Sequence, residues 1–338
     1  MSTPRQWRLF AFNRRQFSVG LASIGLAGIP VVSTAEDKAA SYPTKPIKVL
    51  ISVPPGGTMD VLTRAISNAV RESLGVIILD HKSGANGNIA MEAAKVADPD
   101  GHTLLLGTAS MLTMNPHTYK EFRVDVFKDF EPIVLASRFE LALAVHASVP
   151  ANTLPELLTW LKANPSKAVM ASYGAGTPGH FLIEMLSAAT GIKIQHVPYR
   201  GATQAMQDLM GGQVLMLANT VGGTVPFLQS GKIKVLATSG QKRSPFMPAI
   251  PTFVELGYPS VTATAWFSYL APKGTPIKIL DRLNAEFNKA IQSREVRAQL
   301  LSNGMYPVGG TRAELAQTMK VDYAHWGQVV KATGFEAN

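Results

Sequence analysis

The stretch Ile47-Lys48-Val49-Leu50-Ile51-Ser52-Val53-Pro54-Pro55-Gly56-Gly57, with its continuation to Leu79, decides the fold. Its first seven residues form a short apolar strand, and Pro54-Pro55-Gly56-Gly57 ends that strand. Leu62, Ile66, Ala69 and Leu74 follow at intervals of three to five, the spacing of one helix face, and Gly75 provides a helix stop. Val76-Ile77-Ile78-Leu79 is a second strand. Working outward, Ser83-Gly84-Ala85-Asn86-Gly87-Asn88 reads as a glycine loop, Ile89 to Ala97 as a helix and Thr103 to Gly107 as a third strand. Strands alternating with helices predict an α/β protein with a parallel sheet covered on both faces. Later helices show their starts: Thr153-Leu154-Pro155-Glu156 and Thr311-Arg312-Ala313-Glu314 are capping boxes, and Thr275-Pro276 puts proline at a first helical position.

The chain has 338 residues, 46% hydrophobic and 16% charged, enough for one large core or two medium ones. It contains no cysteine, which excludes a disulfide framework, a thiol nucleophile and a thiolate metal site. The formal charge of +9 raises nucleic acid as a partner, but no run of five or more Lys or Arg exists to bind it. Four arginines fall in the first 16 residues, followed by an apolar, Gly/Ala-rich run from Phe17 to Val32 and small residues at Ser33-Thr34-Ala35. Residues 1–35 are therefore expected to be an export signal, of the twin-arginine type because Arg14-Arg15 precedes Phe17. No later apolar run reaches about 20 residues, so the mature chain is expected in the periplasm, not in a membrane.

In open α/β sheets ligands bind beyond the carboxyl ends of strands. Four loops there are rich in Gly, Ser and Thr: Pro54 to Asp60, Gly107 to Ser110, Ser172 to Gly179, and Asn219 to Thr224. Backbone amides at such loops and at following helix starts form an anion site without Lys or Arg, and a carboxylate fits it. The alternative is that these residues merely end strands and cap helices. Gly174-x-Gly176-x-x-Gly179 matches a dinucleotide fingerprint, but the next strand, Ile192 to Arg200, lacks the acid that would hold a ribose. No hydrolase elbow, zinc-protease or P-loop motif is present. His180 and Glu184 stand four apart and are expected to form a helix-surface hydrogen bond rather than a metal or acid/base pair. The other histidines are scattered, and His196 reads as a packed core residue. Trp266 to Leu270 reads as a buried strand, with Trp266 a candidate cleft wall.

Several motifs occur in order between Tyr42 and Gly334. They are Tyr42-Pro43-x-Lys45-Pro46-Ile47, Val53-Pro54-x-Gly56-Gly57-x-x-Asp60, Asp98-Pro99-Asp100-Gly101-His102-Thr103-Leu104-Leu105 and Lys128-Asp129-Phe130-x-Pro132. His196-Val197-Pro198-Tyr199-Arg200-Gly201, Asp208-Leu209-x-x-Gly212-Gln213-Val214, Lys242-Arg243-Ser244 and Ala271-Pro272-x-Gly274-Thr275-Pro276 continue the series. Together they resemble the Bug family, the extracytoplasmic solute receptors of tripartite tricarboxylate transporters.

The resemblance implies a periplasmic-binding-protein-like fold, two α/β lobes joined by two crossing segments with a ligand cleft between them. The extended stretches Leu141 to His146 and Thr264 to Leu270 are the expected crossings, giving one lobe from 43–142 plus 265–338 and the other from 143–264. A small carboxylate is the implied ligand, held by backbone groups, hydroxyls and bridging water. Gly56, Gly57, Thr58, Thr108 and Ser110 would act from one lobe, and Ser172, Gly176, Thr177, Tyr199 and Asn219 from the other. Where the family shows Phe-Asp-Asn, this chain reads Leu217-Ala218-Asn219. Ala218 replaces the acid, which favours a plain carboxylate over an amino acid. The implied partners are inner-membrane permease subunits, and the protein is expected to be a monomer without catalytic residues, cofactor, metal or nucleic acid. Two other readings stand beside this one: a periplasmic hydrolase using His180 and Glu184, and a sensor signalling to a membrane kinase.

Overall fold

The computed structural model describes residues 41–337. The expected signal segment, 1–35, lies outside the described residues. Strand β1 (Ile47–Ile51) pairs in parallel with β2 (Ile77–His81) on one side and β3 (Thr103–Thr108) on the other. Helix α1 (Thr58–Ala69) follows β1, and α2 (Asn88–Lys95) follows β2. This is the architecture the alternation predicts for the first third of the chain.

Beyond β3 the sheet becomes mixed, which corrects the expectation of parallel pairing throughout. Strand β4 (Phe130–His146) runs antiparallel to β9 (Thr264–Pro272), which in turn runs antiparallel to β3; β10 (Tyr306–Gly309) lies antiparallel on β4 as well. The 17-residue β4 changes partners along its length. Glu140 is the last residue opposite β9, facing Thr264, and Leu141 is the first opposite β7 (Met216–Thr220), facing Thr220. From there β8 (Ile233–Thr238) also pairs with β4, while β5 (Val169–Ser172) runs parallel to both β7 and β6 (Gln195–Pro198). The physical reason is directional: the chain passes from one lobe to the other along β4 and returns along β9, so the two passages oppose each other.

Each half has its own apolar core. Ile47, Leu62, Leu105 and Leu270 belong to the first. In the second half Leu143 and Ala218 face one side of the sheet with Phe181, and Ala142 and Leu217 face the other with Met206. That alternation is the period-two side-chain geometry of a strand covered on both faces. Helix α3 (Leu154–Ala163) starts at Thr153, whose side chain accepts from the Glu156 amide. Helix α4 (Pro178–Thr190) starts at Thr177 with proline at its first position, and α5 (Ala202–Met210) follows β6. Helices α6 (Ile277–Gln292) and α7 (Arg294–Ser302) cover the first lobe. Pro276 sits at the N-cap of α6 and not, as expected, at its first helical position; the helix begins one residue later, at Ile277. The last helix, α8 (Arg312–Thr333), opens with a complete Thr311/Glu314 capping box and serves both cores. Leu315 and Met319 pack in the first, Trp326 and Val330 in the second.

Candidate functional site

The first-lobe loop after β1 is shaped by one buried carboxylate. Asp60, in the first turn of α1, accepts from the Gly56 amide at 3.3 Å and from Arg64 Nε at 2.9 Å, and its other oxygen lies 3.4 Å from His81 Nε2. Burial works to raise its pKa, but the Arg64 guanidinium, the Gly56 amide and His81 outweigh burial and hold it below the usual carboxylate range. Gly56 adopts φ +95°, which favours glycine, and so aims the loop at the helix start. Among the described residues nothing accepts from the amides of Gly57, Thr58 and Met59. No protein atom lies within 4 Å of where a Gly57 side chain would begin. Such donors at a helix N-terminus carry partial positive charge.

At the end of β3, Thr108 Oγ1 accepts from the Met111 amide and Ser110 is buried in a π-helical turn, Ser110–Met114. Thr108 thus helps build that turn.

The second-lobe loop, Ser172 to Thr177, is held by neutral groups. Ser172 Oγ is 2.7 Å from His196 Nε2 and accepts from the Gly174 amide. The Gly176 amide donates to His180 Nδ1 at 3.2 Å, and Thr177 Oγ1 donates to the Gly174 carbonyl while accepting from the His180 amide. The two imidazoles stack at 4.0 Å, and Phe335 caps His180 edge-on. His180 is 4% exposed, so it is a buried residue and not the surface member of a helix pair. Burial, then the neighbouring His196, pushes its pKa down to about 3; burial pushes His196 down to about 4. Because the Gly174 and Gly176 amides are taken, the free donors here are Ala175 and Thr177, which find no acceptor among the described residues.

The remaining expected contacts resolve individually. Tyr199 gives its hydroxyl to Asp208 at 2.8 Å, and its pKa is pushed up to about 12 by burial and then by that carboxylate. Asn219 is fully buried and donates to the Gly223 carbonyl, fixing the loop after β7. Ala218 lies in the apolar packing beneath α4.

The lobes meet at a narrow crevice lined by Thr58, Phe139, Phe267, Asn303 and Gly304 from the first and Thr220 and Gly222 from the second. Phe139 and Phe267 pack tilted at 4.8 Å. The strand read as a possible cleft wall does supply one, but through Phe267; Trp266 turns away and donates to Asp322 at 2.6 Å. A second interlobe contact was not legible in the sequence. Asn86, at φ +48°, donates to Asn115 Oδ1 at 2.8 Å and reaches the Gly176 carbonyl at 3.3 Å. The Asn-Gly-Asn run hints at this conformation, since asparagine tolerates left-handed backbone. At the crossing itself Ser239 Oγ accepts from the Leu141 amide and donates to the Ala263 carbonyl, joining the outgoing and returning segments.

Two α/β lobes on shared central strands, with amide-rich loops meeting across a cleft, define a ligand-binding receptor of the periplasmic-binding-protein class. Residues 62–335 match the model of the tripartite tricarboxylate transporter family receptor, TctC, and the chain belongs to that family. It is 32% identical to BugT of Bordetella pertussis over 316 residues, covering 93% of this chain and 97% of BugT. Among solved structures, an adipate-bound protein of R. palustris superposes with a TM-score of 0.82 at 29% identity, covering 87% of this chain and 99% of that one. The periplasmic binding protein BugD gives 0.81 at 29% identity, covering 88% and 100%. MatC from Rhodopseudomonas palustris with bound malate gives 0.79 at 27%, covering 86% and 100%. The match extends through both lobes of the fold.

Proposed function

We propose that this chain is a periplasmic receptor that closes on a small dicarboxylate and delivers it to the membrane subunits of a tripartite transporter. The observation that carries the reading is the pair of amide clusters with no acceptor among the described residues: Gly57, Thr58 and Met59 at the start of α1, Ala175 and Thr177 ahead of α4. Each belongs to a loop that takes part in the interlobe contact, through Thr58 on one side and Gly176 on the other. Two cradles on two lobes suit a ligand with two anionic ends, and the adipate and malate held by relatives are such ligands. Lobe closure is a hinge motion about the Glu140/Leu141 and Ser239–Ala263 crossings, with 43–142 plus 265–338 moving against 143–264, except for the end of α8, whose Trp326 and Val330 pack in the second core.

Binding without turnover is supported by the chemistry of the polar groups. Ser172 and His196 have the spacing of a nucleophile and its base, but Ser172 has no exposed surface on which a substrate could land. Glu184 sits 3.4 Å from His180 Nε2, and that imidazole is committed to the Gly176 amide. Among the described residues no cluster of three or more His, Asp or Glu could hold a metal, and no helix is long and apolar enough to cross a membrane.

Calorimetry with adipate, malate, citrate and benzoate on the purified protein tests the reading. One-to-one binding of a dicarboxylate, with no consumption of it, is the expected result. Binding of a cation or neutral solute with no carboxylate binding overturns the anion-cradle argument. Export is tested separately: the Arg14→Lys/Arg15→Lys precursor should stay inside the cell, because the twin-arginine route reads the arginine pair itself. Normal periplasmic accumulation of that variant would refute the twin-arginine assignment.

A further inference from the structure

We infer that the closed state of this receptor is set by a backbone-to-backbone contact between Gly222 of the second lobe and Asn303-Gly304 of the first, and that Gly222 is thereby an affinity-determining residue. The inference rests on the receptor reading and adds the contact that limits how far the lobes close.

Gly222 follows β7, and the residue before it, Val221, donates its amide to the Glu140 carbonyl at the point where β4 changes lobes. Gly304 precedes β10, whose Tyr306 pairs with Arg138 on β4. The end of a second-lobe strand and the start of a first-lobe strand therefore abut beside the crossing. A Cβ built on Gly222 would lie 1.9 Å from the Asn303 carbonyl oxygen, and one on Gly304 would lie 2.3 Å from the Gly222 Cα. Real Cβ atoms essentially never come within 3.0 Å of another heavy atom, and here the obstructing atoms are backbone, which no rotamer change removes.

Glycine at 222 is not required by local conformation. Its φ is outside the left-handed region, so any residue could adopt the same backbone there. What excludes a side chain is the opposite lobe. Gly304 differs, because its φ of +65° would strain a side chain even in an isolated lobe. Gly222 is the cleaner probe for that reason. A single methyl at Gly222 acts as a wedge against the Asn303 carbonyl, in the crevice that Thr58 also lines, and so holds the two lobes farther apart there. The two amide clusters could then no longer reach one ligand together, and affinity falls by the share of binding that closure supplies.

The test compares wild type, Gly222→Ala and Gly222→Val by calorimetry with adipate and malate, by small-angle X-ray scattering with and without the same ligands, and by unliganded melting temperature. Gly222→Ala should lose about tenfold or more in affinity for the dicarboxylate that binds wild type, and Gly222→Val more. Both should show reduced ligand-induced compaction and an unchanged unliganded melting temperature. Hydrogen exchange on the unmodified protein gives an independent reading: ligand should slow exchange in both 219–225 and 300–306. Wild-type affinity and full compaction in Gly222→Ala, or protection confined to one of the two segments, overturns the inference. A wild-type protein that ignores carboxylates but compacts with another solute, with Gly222→Ala blocking that compaction, overturns the carboxylate reading and leaves the contact standing.

Discussion

The two loops proposed to hold the ligand are built by opposite chemistry. In the first lobe a buried carboxylate, Asp60, gathers Arg64, the Gly56 amide and His81, so charge holds the loop. In the second, Ser172, Thr177, His180 and His196 hold each other and the Gly174 and Gly176 amides through neutral hydrogen bonds, sealed by Phe335. Both arrangements leave backbone donors free for an anion while fixing the glycines around them. The difference teaches where each is vulnerable. A charged clamp around a depressed carboxyl withstands moderate acid, whereas a neutral imidazole buried away from water does not.

The largest effect is expected where the comparison predicts equality. If both loops grip the same ligand, blocking either should abolish binding. Gly57→Val places a side chain in space that holds no protein atom, at a backbone conformation any residue adopts, so the fold should survive. Displacing two or three charge-assisted bonds, each worth roughly 1.5–3 kcal/mol, should cut affinity by about 100-fold or more. An unchanged melting temperature with undetectable calorimetric binding is the expected pair of results. Retained binding would mean that the second loop alone carries the anion.

Acid should then separate the loops. A folded-state pKa of about 3 for His180 and about 4 for His196, against the ordinary 6.5, means the unfolded chain binds more protons in that interval. Stability contributed by these groups is complete above about pH 6.5 and is lost progressively as pH falls toward 4 and then 3. Asp60 works in a lower window, since its contribution persists until pH drops through the ordinary carboxylate value of 3.8. Between pH 6.5 and 4.5, hydrogen exchange, corrected for its intrinsic pH dependence, should therefore quicken at the Gly176 amide, which His180 holds, while the Gly56 amide, which Asp60 holds, keeps its protection. His180→Gln keeps an acceptor for the Gly176 amide but cannot titrate, and it should flatten this dependence. Equal loosening of both loops would remove the distinction.

Much of this molecule was legible because local pattern and tertiary role coincide. The alternation from Ile47 to Gly107 is one such case, and Thr153 and Thr311 to Glu314 start helices where their chemistry says they should. The central strand was readable only in its second part, Leu141 to His146. Its first part carries Pro132, Arg138 and two register shifts against β9, which blur the period-two signal. Asn86 and Gly222 stayed hidden for a different reason. Each acts on a partner about 80 to 90 positions away, and a glycine inside Val221-Gly222-Gly223-Thr224 reads as a turn whether or not another backbone approaches it.

Tyr199 offers the smallest effect and the sharpest limit on the comparison. Likeness to the family makes it a ligand contact, but its hydroxyl already donates to Asp208 at 2.8 Å, and its backbone amide donates to the Ser172 carbonyl. A phenol held by a carboxylate has no second proton to give, so its service to the site is to hold β6 beside the second loop. Tyr199→Phe should lower stability by about 1 kcal/mol, the usual net worth of one hydrogen bond, with affinity for a dicarboxylate changed less than about threefold. Asp208→Asn should have a comparably small effect on affinity, because it alters the same bond from the other side. A large loss of affinity in Tyr199→Phe with wild-type stability would show that the hydroxyl leaves Asp208 for the ligand on closure, and the second loop would then have a polar side chain in its grip as well as its amides.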